Sequence, residues 1–187
     1  MKVLRALRTW LRFDVPLWFV RLVTGWWPDF GPFPRMRGAL SAPFIARCGR
    51  GFAIGRDVTL LAADRLSIGD RVYLAKGTWL NAFGGVSIDD EVMVGPYVVI
   101  ASSNHGFRDG SCRFGGTHPA PVHIGRGSWL GSHVVVAAGV SIGRGNLVGA
   151  NAVVTKATPD NVFVGGIPAK VLGPREDNPS ELKTRHV

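Results

Sequence analysis

The sequence predicts an all-β chain wound as a parallel β-helix, and three observations carry that reading. Stepping by six from Ile124 meets Leu130, Val136, Ile142, Val148 and Val154, so every step lands on a branched aliphatic. The residues directly after them are Gly125, Gly131, Ala137, Gly143, Gly149 and Thr155, all small. Glycine makes up 25 of 187 residues, about twice the ordinary share. A period of six is neither the 3.6 of a helix nor the plain 2 of a long strand. It suits a flat strand of four or five residues followed by a tight turn. Three such units close a triangular coil, and coils stack so that each buries its neighbour's interior. The aliphatic then points inward, and the small residue beside it is expected to let the backbone bend at the corner.

The same phase runs upstream through Ile88, Val94 and Ile100, through Ile68, Leu74 and Leu80, and through Ile54, Leu60 and Leu66. The starts at Ile68 and Ile88 each slip by two residues, as short corner insertions would. Residues 104–122 break the pattern with Gly, Pro, Ser, Arg and two histidines. They read as a loop extruded from the coil, and such loops often carry function. The repeat is expected to end at Pro159-Asp160-Asn161. The organisation is thus a basic, aromatic helical arm over residues 1–50, the β-helix over 51–173 and a polar tail over 174–187.

Composition narrows the function classes. With 46% hydrophobic and 19% charged residues, the composition allows a packed core and disfavours disorder. Cys48 and Cys112 are too few for a disulfide scaffold and lack C-x-x-C spacing, which argues against a structural zinc cluster or a thioredoxin-like site. The net charge is +9. Most of it lies in the first fifty residues, where nine Lys and Arg face only Asp14 and Asp29 and where four of six tryptophans lie. Basic and aromatic residues interleaved in this way suit peripheral contact with an anionic membrane surface. Packing against the rest of the protein or a neighbouring subunit is the alternative. No helix-turn-helix, zinc-finger or RNA-recognition motif supports nucleic acid. The longest apolar run, Val15 to Val20, is far short of the roughly 20 residues of a span, and no cleavage site follows it. A cytoplasmic protein is expected. Leu4, Leu7, Trp10 and Leu11 have helical spacing. Leu17, Val20 and Val23 continue it after an expected break near Pro16, giving two short helices.

Four segments carry a resemblance: Ile124–Gly131, Val140–Gly143, Val153–Lys156 and Gly166–Val171. They resemble the hexapeptide-repeat acyltransferases, above all the galactoside and maltose acetyltransferases and the O-acetyltransferases of bacterial polysaccharide synthesis. The resemblance covers roughly residues 50–173. It implies a left-handed β-helix, a homotrimer, and acetyl-CoA sites in clefts between subunits. It implies no metal. It also implies transfer of an acetyl group to a hydroxyl of a sugar, in a cell-surface glycan, a lipid-linked precursor or a nucleotide sugar.

It assigns His105, in Ala101-Ser-Ser-Asn-His-Gly-Phe107, the role of general base. That chemistry is sound. An alcohol is a poor nucleophile while it holds its proton, and neutral imidazole accepts a proton near neutral pH. Asn81 and Asn104 are expected to contact the acceptor, and Trp129 to offer a flat face to acceptor or pantetheine. Ser132 and Ala150 match the pantetheine groove, Thr155 and Lys156 the nucleotide end, and Lys170 a phosphate contact. Two departures stand out: Gly173 replaces a further basic residue, and Asn151 replaces a common glycine, which is expected to narrow the groove.

Other functions compete. A γ-type carbonic anhydrase uses the same fold and three zinc-binding histidines, for which His105, His118 and His123 are available. A non-catalytic trimeric scaffold is possible on the repeat alone. Covalent catalysis through Cys112 would need the thiol brought to His105 across six intervening residues.

Overall fold

The computed structural model describes residues 2–175. From Arg47 the chain winds as a parallel β-helix of about six turns. Three flanks form its triangular prism. The first stacks the strands Arg47–Cys48, Leu66–Ile68, Val86–Ile88, Val122–Ile124 and Ser141–Ile142. The second stacks Ala53–Ile54, Tyr73–Leu74, Met93–Val94, Trp129–Leu130, Leu147–Val148 and Val162–Gly165. The third stacks Thr59–Leu61, Trp79–Asn81, Val99–Ala101, Val135–Val136 and Val153–Val154. Every pairing within these stacks is parallel, for example Leu80 against Ile100 and Ile124 against Ile142.

The six-residue phase is the interior. Leu74, Leu80, Ile100, Ile124, Leu130 and Ile142 have no exposed surface, and burying each such side chain contributes about 1.5–3 kcal/mol. Leu60 is only half-buried, because it lies on the end coil. The expected slips are insertions at one corner, between the third and first flanks. One is a 3-10 turn at Ala63–Arg65, and the other a turn over residues 82–85. The packing also runs past the expected end of the repeat. Val162 and Val164 continue the second flank, and Lys170–Pro174 returns antiparallel beside them.

The small residue after each aliphatic is needed for a different reason than expected. A Cβ on Gly125 would lie 2.5 Å from the Arg144 nitrogen, and one on Gly131 2.8 Å from the Ala150 nitrogen. The next coil's backbone excludes it. The left-handed turn falls two residues later, at Gly127 (φ 68°) and Gly145 (φ 65°). Asn151 sits at such a place with φ 59°, a conformation asparagine tolerates.

Polar groups inside the coils are paired. Ser128 Oγ donates to the Gly143 carbonyl (2.9 Å) and accepts the Asn146 N–H (3.1 Å). Asn146 Nδ2 donates to Thr158 Oγ1 (2.7 Å) and the Pro159 carbonyl (2.9 Å), while its Oδ1 accepts the Val162 N–H (3.0 Å). Outside, the corner between the first and second flanks carries a charge ladder. Arg71 donates to Glu91 (2.6 Å), Arg126 to Glu91 (3.1 Å), and Arg144 pairs with Asp160 (2.9 Å). The Asp70 carboxyl accepts the Arg50 backbone N–H (2.8 Å), which holds its pKa below the usual carboxylate value.

The N-terminal arm is helical from Lys2 to Thr24 without the expected break at Pro16. Helix α1, Lys2–Thr9, runs through a π turn at Trp10–Asp14 into α2, Val15–Thr24. The Val15 N–H reaches five residues back to the Trp10 carbonyl. This wider register brings in a proline, which has no N–H to give, at the start of α2 without breaking the helix. Helix α3, Phe33–Ser41, then covers the edge strand Ala53–Ile54. A Cβ on Gly38 would run into the Phe52 carbonyl. Arg37, 3% exposed, donates to the Ile54 carbonyl (2.5 Å), the Trp27 carbonyl (3.1 Å) and Asp29 (3.2 Å). The cap thereby covers part of the open end of the coil stack. Of the expected polar tail, Glu176 onward lies outside the described residues.

Candidate active site

The extruded segment leaves the third flank as a β-hairpin. Ser103–His105 pairs antiparallel with Thr117–Pro119, setting His105 opposite Thr117 and Asn104 opposite His118. Two glycines pinch the neck. A Cβ on either Gly106 or Gly115 would meet the other's backbone, and the Gly106 N–H donates to the Gly116 carbonyl (2.9 Å). The root is fixed by Ser102, which is fully buried. Its Oγ donates to the Asn81 carbonyl (2.8 Å) and accepts the Gly84 N–H (2.8 Å), and its carbonyl accepts the Ala120 N–H (2.8 Å). Sequence reasoning passed over Ser102. The signal was there, a hydroxyl at an inward position of the repeat like Thr78 and Ser128.

His105 itself is exposed, and among the described residues neither of its ring nitrogens has a partner. Its ring is therefore open to a bound molecule. Asn81 lies half-buried at the same corner, one coil above, where its Oδ1 accepts the Phe83 N–H (3.0 Å) as in an asparagine turn. Beside it the Arg65 guanidinium lies 5.1 Å over the Phe83 ring. Thr155 and Lys156, both exposed, occupy this corner two coils below.

The remaining expected residues stand along a different edge. Trp129, 42% exposed, lies on the outer face of the second flank between Met93 and Leu147. Ser132 and Ala150 follow at the corner between the second and third flanks on neighbouring coils, where the Asn151 N–H donates to the Ser132 carbonyl (2.9 Å). Lys170 is exposed on the returning strand opposite Gly165, and its neighbour Ala169 donates to the Val153 carbonyl (2.9 Å). Neither Lys156 nor Lys170 forms an ion pair among the described residues. The ammonium groups at 156 and 170 are thus free to meet phosphate, Lys170 on the edge that carries Ser132 and Ala150 and Lys156 across the third flank from it.

One protomer thus divides the expected site. His105, Asn81, Asn104, Thr155 and Lys156 stand at the corner of the third and first flanks. Trp129, Ser132, Ala150 and Lys170 stand on the second flank and its corner with the third. The third flank separates the two groups. A flank of about five extended residues is about 16 Å wide.

The same geometry bears on the rivals. His123 is held on the first flank, its Nε2 3.0 Å from Asp89 and its Nδ1 3.4 Å from Ser141 Oγ. His105 and His118 sit on opposite faces of their hairpin by strand alternation. Among the described residues no three His, Cys, Asp or Glu side chains gather as a metal site. Cys112 is exposed near the hairpin tip, whereas burial pushes the Cys48 thiol up to about 11.

Comparison with known proteins bears on the family and the fold. The family model described as "Bacterial transferase hexapeptide (six repeats)" matches residues 121–156. The putative colanic acid biosynthesis acetyltransferase WcaF of Escherichia coli K12 is 31% identical over 166 residues, covering 86% of this chain and 87% of that protein. The chain belongs to the hexapeptide-repeat acetyltransferases. Within that family the galactoside O-acetyltransferase of E. coli K12 is 37% identical over 87 residues, 46% of this chain and 43% of that protein. The matched region thus spans under half of that relative. A solved galactoside acetyltransferase in complex with coenzyme A superimposes with a TM-score of 0.76 at 25% identity, covering 87% of this chain and 80% of that one. The family match is concentrated in coils 121–156, and that stretch holds Trp129, Ser132, Ala150, Thr155 and Lys156.

Proposed function

We propose that this protein transfers an acetyl group from acetyl-CoA to a hydroxyl of a sugar, in a surface glycan, a lipid-linked precursor or a nucleotide sugar, and works as a homotrimer in the cytoplasm. The observation that carries this reading is the split of the site. A lone, unpartnered imidazole stands with Lys156 at one edge of the prism, and Trp129, the small residues Ser132 and Ala150, and Lys170 stand at another. Copies related by a three-fold axis along the prism would bring one protomer's His105 edge to its neighbour's Trp129 edge and close the site between them.

In that cleft, His105 accepts the proton of the acceptor hydroxyl. The freed oxygen bonds to the acyl carbon, the carbon–sulfur bond breaks, and the departing thiolate takes the proton back from the imidazolium. Backbone N–H groups at the coil corners are the available donors for charge on the acyl oxygen. Asn81 and Asn104 orient the acceptor, and Trp129 covers the reacting groups. Ser132 and Ala150 line the pantetheine path, while Thr155, Lys156 and Lys170 hold the nucleotide phosphates.

The test is acetyl-CoA turnover against a panel of sugars. His105→Ala is expected to lower kcat at least about a hundredfold with unchanged thermal unfolding. Sedimentation of the wild-type protein should give three chains per particle. Undiminished turnover in His105→Ala would sink the mechanism, and an active monomer would sink the shared site.

A further inference from the structure

We infer that the helical cap at the end of the prism docks on the surface of an anionic lipid bilayer. Helix α2 is amphipathic in the reverse sense. Leu17, Val20 and Thr24 are buried against the body. The opposite face carries Trp18 (60% exposed), Phe19, Leu22 and Val23, with no charge among them. Trp26, 78% exposed, extends this face beyond the helix. A helix that ends at water puts such residues inward. Helix α1 continues the pattern with Leu4 and Leu7, followed by Trp10 and Leu11 in the π turn, all exposed.

The charge beside this face is positive. Arg8, Arg12 and Arg21 are exposed, and Asp14 is the only acidic residue between 2 and 24. No helix among the described residues is long and apolar enough to cross a membrane. A basic helix with exposed tryptophans and leucines instead lies in the interfacial plane. An apolar cleft of about 900 Å³ opens between α2 and the first coil. Trp18 and Leu22 line both the cleft and the exposed face, while Leu60 and Leu61 form the far wall, so an acyl chain has a place to enter.

The position of the cap favours a bilayer over a second copy. α3 and α2 sit over the edge strand and first coil, so their outer face looks along the prism axis. Copies packed flank to flank with parallel axes leave this face free and turn every cap the same way, which adds their affinities.

Flotation of the full-length protein with vesicles, without acetyl-CoA, tests this independently of the catalytic proposal. Vesicles of phosphatidylcholine with about a third phosphatidylglycerol should bind the protein, and pure phosphatidylcholine should bind it much more weakly. Arg8→Ser with Arg21→Ser should weaken binding about 25-fold, from about fivefold per basic residue. Trp18→Glu with Leu22→Glu should weaken it at least about tenfold. Both variants should unfold at the wild-type temperature, because the altered side chains are exposed. No binding to anionic vesicles, or equal binding to neutral ones, overturns the inference. So does a smaller particle by light scattering for Trp18→Glu with Leu22→Glu, which would assign the face to contact between copies.

Discussion

The coil stack and the helical cap use the same apolar residue types in opposite directions. In the coils, Leu80, Ile100 and Leu130 are fully buried, and each inward side chain touches its equivalents above and below. In α2, Leu22 and Trp18 face outward at 59% and 60% exposure. The difference separates two jobs. The stack supplies stability through burial it completes by itself, while the cap holds apolar surface that the chain alone does not cover.

Paired leucine truncations would break or sharpen that contrast. Leu130→Ala should cost about 2–5 kcal/mol, because a cavity opens between two coils that cannot collapse into it. Leu22→Ala should change stability by no more than about 0.5 kcal/mol. Chemical denaturation of the two variants checks both, and a large loss for Leu22→Ala would mean that α2 packs as a core element.

A smaller effect is expected where the stack ends. Asn146→Ala removes two donated hydrogen bonds and leaves the buried Val162 N–H without its acceptor, which should cost about 1–3 kcal/mol. Hydrogen exchange should localise that loss to residues 158–165, since Asn146 ties Thr158, Pro159 and Val162 to the coil above.

The smallest effect belongs to the charge ladder. Hydrogen bonds from Arg71, and then from Arg126, hold the Glu91 carboxyl below its ordinary pKa of 4.5. Its contribution is therefore fully present above that ordinary value and is lost as pH falls through the depressed one. Glu91→Gln should show a shallower drop in unfolding temperature on acidification than wild type, with little difference near neutrality. Equal slopes would show that the ladder is solvated and adds nothing.

Much of this is legible in the sequence. The inward series from Ile54 to Val154 follows from the six-residue step, apart from Leu60 on the open end. Residues 104–122 announced themselves by breaking the phase, and His105 stood out through its motif. Other features were not legible. The reason small residues follow the aliphatics lies in the neighbouring coil, some twenty residues away in sequence. The π turn that absorbs Pro16 depends on a shift in helical register. Ser102 looked like any loop-edge serine until the Asn81 carbonyl and the Gly84 N–H met its hydroxyl.

The sequence by itself determined the repeat, because one inward residue per short strand is a local pattern that each coil states again. The period is equal for either winding sense, so handedness entered only through family resemblance. Tertiary structure decided which edges carry His105 and Trp129 and which face of α2 meets the body. Those placements depend on how many residues each corner inserts and on what the end coil leaves uncovered, and both are sums over the whole chain.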